Sequence, residues 1–428
     1  MTSERQQLHA RRALEALRSG VPNKSAVQAL GCDQGTVIER YVRQLETTSD
    51  AARNDEQERG LIVEGGFGAG KSHLLEYMKY LALEQGFVCS VIVLGKETPL
   101  YDPAKIFVAA AEAAEAKDIS GNAIQEIAAR IDTSRDEYGE FARSAYRTNP
   151  KLSPLLSATL MLHERLGEED AVGQIRNFWA GAKLPVANVR QWMKQIGQTN
   201  AFPIRSIPAK ELPLQRFRFA AQLFRAAGYR GWVLLFDEVE LVGKYSRLQR
   251  ARSYAELARW LGMVESDRYP GVLSVATITD DFASAVLMGK QDIDHIGSFL
   301  ESKGTESYQE MAGRAITGMR LINREALLLH PPSDATLQRT HDALRTMYTA
   351  AYGWEPAPRT VTRESVARRM RSYVRRWINE WDLERIYPGE TLETVETEIQ
   401  IDYTENTELG RVAEEEPIFL EFDNWNRN

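Results

Sequence analysis

Apolar runs bounded by glycine alternate along the chain with stretches whose apolar residues recur at helical spacing. Gly60–Glu64 and Phe87–Leu94 flank one such helical stretch and predict a right-handed βαβ unit. Gly231–Phe236 and Gly271–Thr277 are continuously apolar, which is typical of parallel strands covered on both faces. Ala326–His330 predicts a last strand. The pattern therefore predicts an α/β fold built on a parallel sheet.

Helical patterns before, between and after these strands predict the domain organisation. Residues from about 104 to 220 are alanine-rich, largely helical and interrupted by prolines, so they predict an insertion. From residue 390 onward acidic residues far outnumber arginines, which is typical of a solvated, partly disordered tail. The predicted regions are an N-terminal helical segment (1–55), a core (56–335) with a helical insertion (about 104–220), a C-terminal helical lid (336–389) and an acidic tail (390–428).

Charge and cysteine content narrow the class of protein. The 428-residue chain carries a formal net charge of -7, which argues against coating nucleic acid by bulk charge, so any DNA contact would be local. The two cysteines, Cys32 and Cys89, lack the spacing of a zinc or redox motif and indicate a reducing compartment. A polar start and the lack of a run of roughly 20 apolar residues predict a cytoplasmic protein without a membrane span.

The segment Gly65–Ser72 lies between a predicted strand and a predicted helix and satisfies the P-loop pattern G-x-x-x-x-G-K-[ST], or Walker A motif. Glycines let backbone N–H groups wrap around phosphate oxygens, Lys71 adds positive charge for the β and γ phosphates, and the Ser72 hydroxyl is a Mg²⁺ ligand. The following helix directs its positive dipole end at the same anion. The predicted nucleotide contacts are Gly65, Gly66, Phe67, Gly68, Ala69, Gly70, Lys71, Ser72 and His73.

Two carboxylates, Asp237 and Glu238, end the apolar run 232–236 and match the Walker B arrangement of P-loop ATPases. We predict that Asp237 holds Mg²⁺ through water and that Glu238 polarises the attacking water as a general base. A surface acidic turn after a buried strand is the structural alternative. No guanine-reading N-K-x-D motif is apparent, so ATP is the expected nucleotide. A water-activating glutamate favours an ATPase over a small-molecule kinase.

Polar residues also follow the apolar run 272–276, where AAA+ ATPases place a residue that touches the γ-phosphate or the attacking water. Thr277 and Thr279 are alternative candidates for that role. Either hydroxyl could instead satisfy the backbone at the end of a strand.

Two groups of arginines are candidates to reach the phosphates. Arg371 and Arg375 share a helix face at i, i+4 spacing, with Arg368 a turn earlier, so Arg371 could reach back from a lid domain. An arginine finger for a neighbouring subunit would lie before the last strand, although surface positions are the more common role of such residues: Arg314, Arg320 and Arg324.

Residues 25–41 predict a helix, a glycine turn and a second helix, the outline of a helix-turn-helix. Lys24, Arg40 and Arg43 give this element only modest positive charge. The favoured alternative is an N-terminal helical collar that packs on the core.

Residues 11–23, 65–75 and 96–103, and more weakly 351–354 and 371–377, carry a family resemblance. In these stretches the chain resembles the P-loop ATP-binding proteins of BREX bacteriophage-resistance systems, the BrxC/BrxD family. The resemblance implies an AAA+-like, initiator-type ATPase fold with a helical lid, which acts on DNA beside a helicase and other defence components. The acidic tail is a departure, and it leaves open a standard BREX operon or a related defence cassette.

Together these features predict a Mg²⁺-dependent ATPase whose nucleotide state closes a lid or completes a subunit interface. That change would alter its engagement of DNA or of a partner protein. The alternative is a nucleotide-switched scaffold with little turnover, which recruits a helicase or another defence component. The sequence leaves homo-oligomerisation open.

Overall fold

The structure is a computed structural model that describes residues 3–20, 23–147, 151–362, 369–388, 402–406 and 409. The strands in these residues are β1 (Leu61–Glu64), β2 (Val88–Val93), β3 (Trp232–Asp237), β4 (Val272–Ile278) and β5 (Leu327–Leu328). They form one sheet in the order β2-β3-β4-β1-β5, and every pairing is parallel. The predicted α/β fold with a parallel sheet is confirmed.

Strands β1 and β2 are not neighbours in the sheet, although the sequence predicts them as one βαβ unit. β3 and β4 lie between them, and every residue of both is buried. Continuously apolar strands need cover on both faces and therefore lie inside the sheet. The short β5 lies at the edge beside β1. As a result, β4 is flanked by β1 and β3, so the carboxyl ends of these three strands meet.

Helices cover the sheet and extend beyond it. The N-terminal helices are α1 (Ser3–Ser19), α2 (Lys24–Leu30) and α3 (Gly35–Arg53), and α4 (Lys71–Glu84) follows β1. Between β2 and β3 lie α5 (Pro103–Glu112), α6 (Ala123–Ala129), α7 (Asp136–Tyr146), α8 (Pro154–Arg165), α9 (Glu169–Trp179), α10 (Val186–Gln195) and α11 (Leu212–Ala226). The later helices are α12 (Arg247–Trp260), α13 (Asp292–Glu301), α14 (Glu306–Glu325), α15 (Asp334–Tyr352) and α16 (Met370–Ile386).

Short helical turns complete the chain trace. A 3₁₀ helix at Val239–Lys244 follows β3, another occupies Glu265–Asp267, and a π-helix at Ala283–Met288 follows β4. The helix predicted to carry Arg371 and Arg375 begins at Met370 in the structure. Residues 363–368 lie outside the described residues. None of the helices among the described residues is long and apolar enough to cross a membrane.

The helices between β2 and β3 share one hydrophobic core with the sheet. The Phe217 ring lies 5.3 Å from that of Trp232 on β3, 4.5 Å from that of Trp260 on α12, and 4.9 Å from that of Phe107 on α5. Aromatic pairs at such distances add about 0.5–1.5 kcal/mol each beyond the area they bury. The predicted insertion therefore packs as part of the core.

Helix α3, the second helix of the predicted helix-turn-helix, packs on the sheet. Its Val37, Tyr41 and Leu45 are buried in a cluster with Val233 of β3. The Tyr41 hydroxyl donates to the carbonyl oxygen of Met78 on α4 at 3.1 Å. One face of α3 is thus used for packing on the core, as the collar alternative requires.

The N-terminal helices α1 and α2 pack together with α15 and α16 in a separate cluster. Leu14 and Ala26 are buried there with Leu344, Trp377 and Trp381. Helices α1, α2, α15 and α16 therefore form one helical unit. The first turn of α16 lies at the border of this unit with the sheet.

Candidate functional site

The glycine-rich segment connects β1 to α4 at the carboxyl edge of the sheet. The Gly65 N–H donates to the carbonyl oxygen of Ile278, the last residue of β4, at 3.1 Å. Gly68 and Gly70 have φ values of 78° and 106°, a region that side chains strongly disfavour. Since Gly70 immediately precedes α4, the loop lies at the positive end of that helix dipole. Such a loop is suited to bind an anion.

Lys71 is buried beneath the loop. Its ammonium group donates to the carbonyl oxygen of Gly65 at 2.8 Å and lies 3.7 Å from Glu240 Oε1. Glu240 is 7% exposed, and its Oε2 has no hydrogen-bond partner among the described residues. Burial raises the pKa of Glu240, and the nearby Lys71 charge opposes that rise. No sequence motif marks Glu240, although its place two residues after Glu238 is a usable indication.

Asp237 joins three parts of the site. As the last residue of β3, it accepts a hydrogen bond from the Ser72 hydroxyl at its Oδ2 (2.8 Å). Its Oδ1 accepts from the Thr277 hydroxyl at 2.7 Å and from the Glu238 N–H at 2.9 Å. Thr277 reaches Asp237 because β3 and β4 pair with Phe236 opposite Ala276, which brings the next residues side by side. The glycine loop and two strand ends therefore meet at one carboxylate.

Glu238 has a left-handed backbone conformation, with φ 60° and ψ 37°. A non-glycine residue there is uncommon and marks a position where the backbone geometry is imposed by its surroundings. The side chain is exposed. Partial burial and the neighbouring Asp237 raise the pKa of Glu238, while Lys71 and Arg371 act in the opposite direction. Glu238 is therefore a solvent-accessible carboxylate beside the loop.

Ser72 and Asp237 supply the kind of donors that Mg²⁺ prefers. Both offer oxygen atoms, and Mg²⁺ in proteins is usually held by one or two carboxylates, substrate phosphates and water. Among the described residues, no group of three or more His, Cys, Asp or Glu side chains could hold a metal ion. The donor set fits a magnesium ion that shares its coordination with a bound phosphate chain.

Arg371, in the first turn of α16, covers the glycine loop. Its Cζ lies 5.5 Å from the centre of the Phe67 ring, and its Nη2 donates to the carbonyl oxygen of Gly20 at 3.2 Å. Burial and Arg375 lower the pKa of Arg371, while Asp237 and Glu238 raise it. Arg371 therefore lies close enough to both carboxylates to interact with them electrostatically, and its role as a lid residue stays a prediction.

The family whose description is "BREX system ATP-binding protein BrxC/D" matches residues 6–131 and 199–392. These segments cover most of the chain. The chain belongs to this BrxC/D family. No curated protein and no solved structure gives a significant match. The unmatched stretch between the two segments contains helices α7 to α10, which lie inside the predicted insertion. The domain boundaries themselves stay predictions.

The remaining candidates of this BrxC/D family member have other contacts. His73 Nε2 donates to the carbonyl oxygen of Gly31 at 2.7 Å, and burial lowers the pKa of the imidazole. His73 thus connects α4 to the end of α2. Thr279 is 2% exposed and lies 2.6 Å from the Tyr403 hydroxyl, so only Thr277 of the two threonines contacts Asp237 directly.

The remaining candidate arginines differ in their burial and in their contacts. Arg375 donates through Nε to the carbonyl oxygen of Arg18 at 2.8 Å, and Arg368 lies outside the described residues. On α14, Arg314 is half-buried. Burial raises the pKa of Glu256, and the charges of Arg259 and Arg314 oppose that rise. The exposed members of the predicted finger group are Arg320 and Arg324.

Proposed function

We propose that this protein is a Mg²⁺-dependent ATPase with an AAA+-like P-loop core, and that it acts in anti-phage defence. The observation that carries the proposal is the Asp237 carboxylate, which holds the Ser72 and Thr277 hydroxyls beside Lys71 and Glu238. Membership of a family of BREX ATP-binding proteins supports both ATP as the nucleotide and defence as the setting.

Phosphate binding would change the partners of Lys71. Its ammonium group donates to loop carbonyls, and an incoming β or γ phosphate offers stronger, charged acceptors. The loop N–H groups and the α4 dipole favour the same anion. Ser72 and Asp237 would hold Mg²⁺, which when bound neutralises developing charge on the phosphates.

Glu238 is the residue we assign to water activation. Its side chain is exposed beside the loop, so a water molecule can reach it. Its raised pKa strengthens it as a proton acceptor. Thr277 keeps the adjacent Asp237 in place through a 2.7 Å hydrogen bond.

The output of ATP binding would be transmitted through α16. Arg371 contacts both the loop residue Phe67 and Gly20 at the end of α1. A ligand that attracts Arg371 would therefore act on the helical unit of α1, α2, α15 and α16. We propose that this unit, or the adjoining α2–α3 segment, engages DNA or a defence partner such as a helicase. The exposed Arg320 and Arg324 are candidates for a contact between copies in a homo-oligomer.

Phosphate release, measured with Mg²⁺ and ATP in the presence and absence of double-stranded DNA, tests the proposal. The parent protein should turn over, and Glu238→Gln should lose at least about 100-fold in kcat while it still binds ATP. ATP binding without turnover in either condition would identify a nucleotide-switched scaffold. Label transfer from ATP to a metabolite would instead identify a kinase.

A further inference from the structure

Residues 402–406, within the region predicted as a solvated acidic tail, lie against the core beside the nucleotide site. The Asn406 N–H donates to the carbonyl oxygen of Lys244 at 3.1 Å. Lys290 Nζ donates to the carbonyl oxygens of Tyr403 (2.7 Å) and Gly243 (2.9 Å). These contacts attach the segment to the 3₁₀ helix after β3 and to the residues after β4. Within residues 402–406 only Tyr403 is buried, and the other four residues are exposed.

A buried charge network holds the same segment. Arg250 on α12 is 2% exposed and forms a two-bond ion pair with Asp292, at 2.7 and 2.8 Å. Its Nη1 also donates to Glu405 Oε1 at 2.8 Å. The buried Asp292 already pairs with the guanidinium, and the half-exposed Glu405 adds a second ion pair that attaches residues 402–406 to α12. Glu405 thus gives residues 402–406 a specific anchor.

The Tyr403 ring packs against Gly243, where the lack of a side chain leaves room for it. A Cβ atom on Gly243 would lie 2.7 Å from Tyr403 Cδ1, which is closer than carbon atoms approach. On the other side, the Phe282 ring lies 6.0 Å away, edge-on at 84°. Glycine at position 243 therefore allows the phenol to reach the end of β4.

The Tyr403 hydroxyl makes two hydrogen bonds there, with Asp281 Oδ1 at 2.9 Å and with the Thr279 hydroxyl at 2.6 Å. A phenol has a single proton, and the carboxylate of Asp281 accepts it. Thr279 must therefore be the donor to Tyr403. The hydroxyl proton of Thr279 lies in the hydrogen bond to the phenol oxygen. Thr279 can therefore only accept hydrogen bonds from other groups.

We propose that Tyr403 is a positioning residue of the nucleotide site, which fixes the rotamer and proton direction of Thr279 at the end of β4, two residues after the Thr277 that holds Asp237. This inference rests on the proposed ATPase function. Tyr403 acts through Thr279 and lies close enough to the buried Glu240 for that carboxylate to help raise the pKa of the phenol, after burial and Asp281. The phenol therefore stays protonated and keeps its direction.

Tyr403→Phe tests the inference because it removes only the hydroxyl. We expect kcat for ATP hydrolysis to fall about tenfold, the equivalent of one hydrogen bond, with the KM for ATP unchanged. Thr279→Val should lower kcat at least as much, and the double variant should be no slower than Thr279→Val alone. Gly243→Ala, which displaces the ring, should reproduce the loss.

Tyr348→Phe is the matched control, since it removes a tyrosine hydroxyl that donates to Asp382 at 2.7 Å in the distant helical unit. It should lower the melting temperature without changing kcat. Unchanged or faster turnover by Tyr403→Phe, or losses that add in the double variant, would overturn the inference and leave the ATPase function intact. An inactive parent protein would overturn both.

Discussion

The Ser72 hydroxyl donates a 2.8 Å hydrogen bond to Asp237, although 165 positions separate the two residues in the chain. The bond exists because β4 alone separates β1 from β3 in the sheet, so the loop after β1 reaches the end of β3. The oxygen atoms that would share a magnesium ion therefore lie together in the fold. Binding would then require little rearrangement of the protein.

The pH dependence of turnover reports on Glu238. A general base must be ionised, and the pKa of Glu238 is raised by partial burial and by Asp237. Activity should therefore fall with decreasing pH at values above those at which an ordinary glutamate is protonated. Arg371→Ala removes a charge that lowers this pKa, so it should shift the acidic limb of the kcat/KM profile further upward.

Glu240→Gln provides the control for that profile, because it removes a second carboxylate near Lys71 whose pKa is also raised and should leave the limb in place. A limb at or below the pKa of a free glutamate side chain would contradict the assignment of Glu238 as the base.

Glu240→Gln should also strengthen ATP binding about fivefold. The wild-type carboxylate lies 3.7 Å from Lys71 in a buried position, where it repels an incoming phosphate and competes for the ammonium group. Titration calorimetry with a non-hydrolysable ATP analogue measures the change. Weaker binding by the variant would show that Glu240 supports the nucleotide directly.

Arg371→Ala should weaken ATP binding about fivefold, since it removes a positive charge next to Phe67 and the loop. Arg375→Ala is the matched control, because this exposed arginine of the same helix contacts the carbonyl oxygen of Arg18 instead. Equal effects of the two substitutions would indicate a general loss of charge and would contradict a specific role for Arg371.

The sequence motif predicts the residues of the glycine-rich loop, because their backbone conformation is a local property. It does not identify residues whose roles depend on the tertiary fold. Gly68 and Gly70, which the motif predicts, have the positive φ values that glycine adopts at little cost. Glu240 and Tyr403 carry no motif, and their roles depend on burial and on contacts with distant residues.

Apolar runs predicted the positions of the strands, while the order of the strands in the sheet depends on which strands are covered on both faces. The contact of Thr277 with Asp237 follows from the pairing of β3 with β4, which a single strand pattern does not determine.

Gly318→Ala should destabilise the protein by about 1–3 kcal/mol, because a Cβ atom there would overlap the carbonyl oxygen of Tyr254 where α14 crosses α12. Gly313→Ala on the same helix has open space and should stabilise the protein by about 0.5–1 kcal/mol. Chemical denaturation of the two variants measures both values. Equal stability of the two would contradict the close approach of the helices.

Binding of ATP by Lys71→Ala, measured by calorimetry with Mg²⁺ on protein shown to be folded, tests the central claim most directly. The claim predicts a Kd at least about tenfold weaker than that of the parent, because a charge-assisted phosphate contact is lost. Lys79→Ala, which removes another lysine of α4 that pairs with Glu115 at 2.9 Å, should bind as the parent does. Parent-like ATP binding by Lys71→Ala would contradict a triphosphate site in this loop.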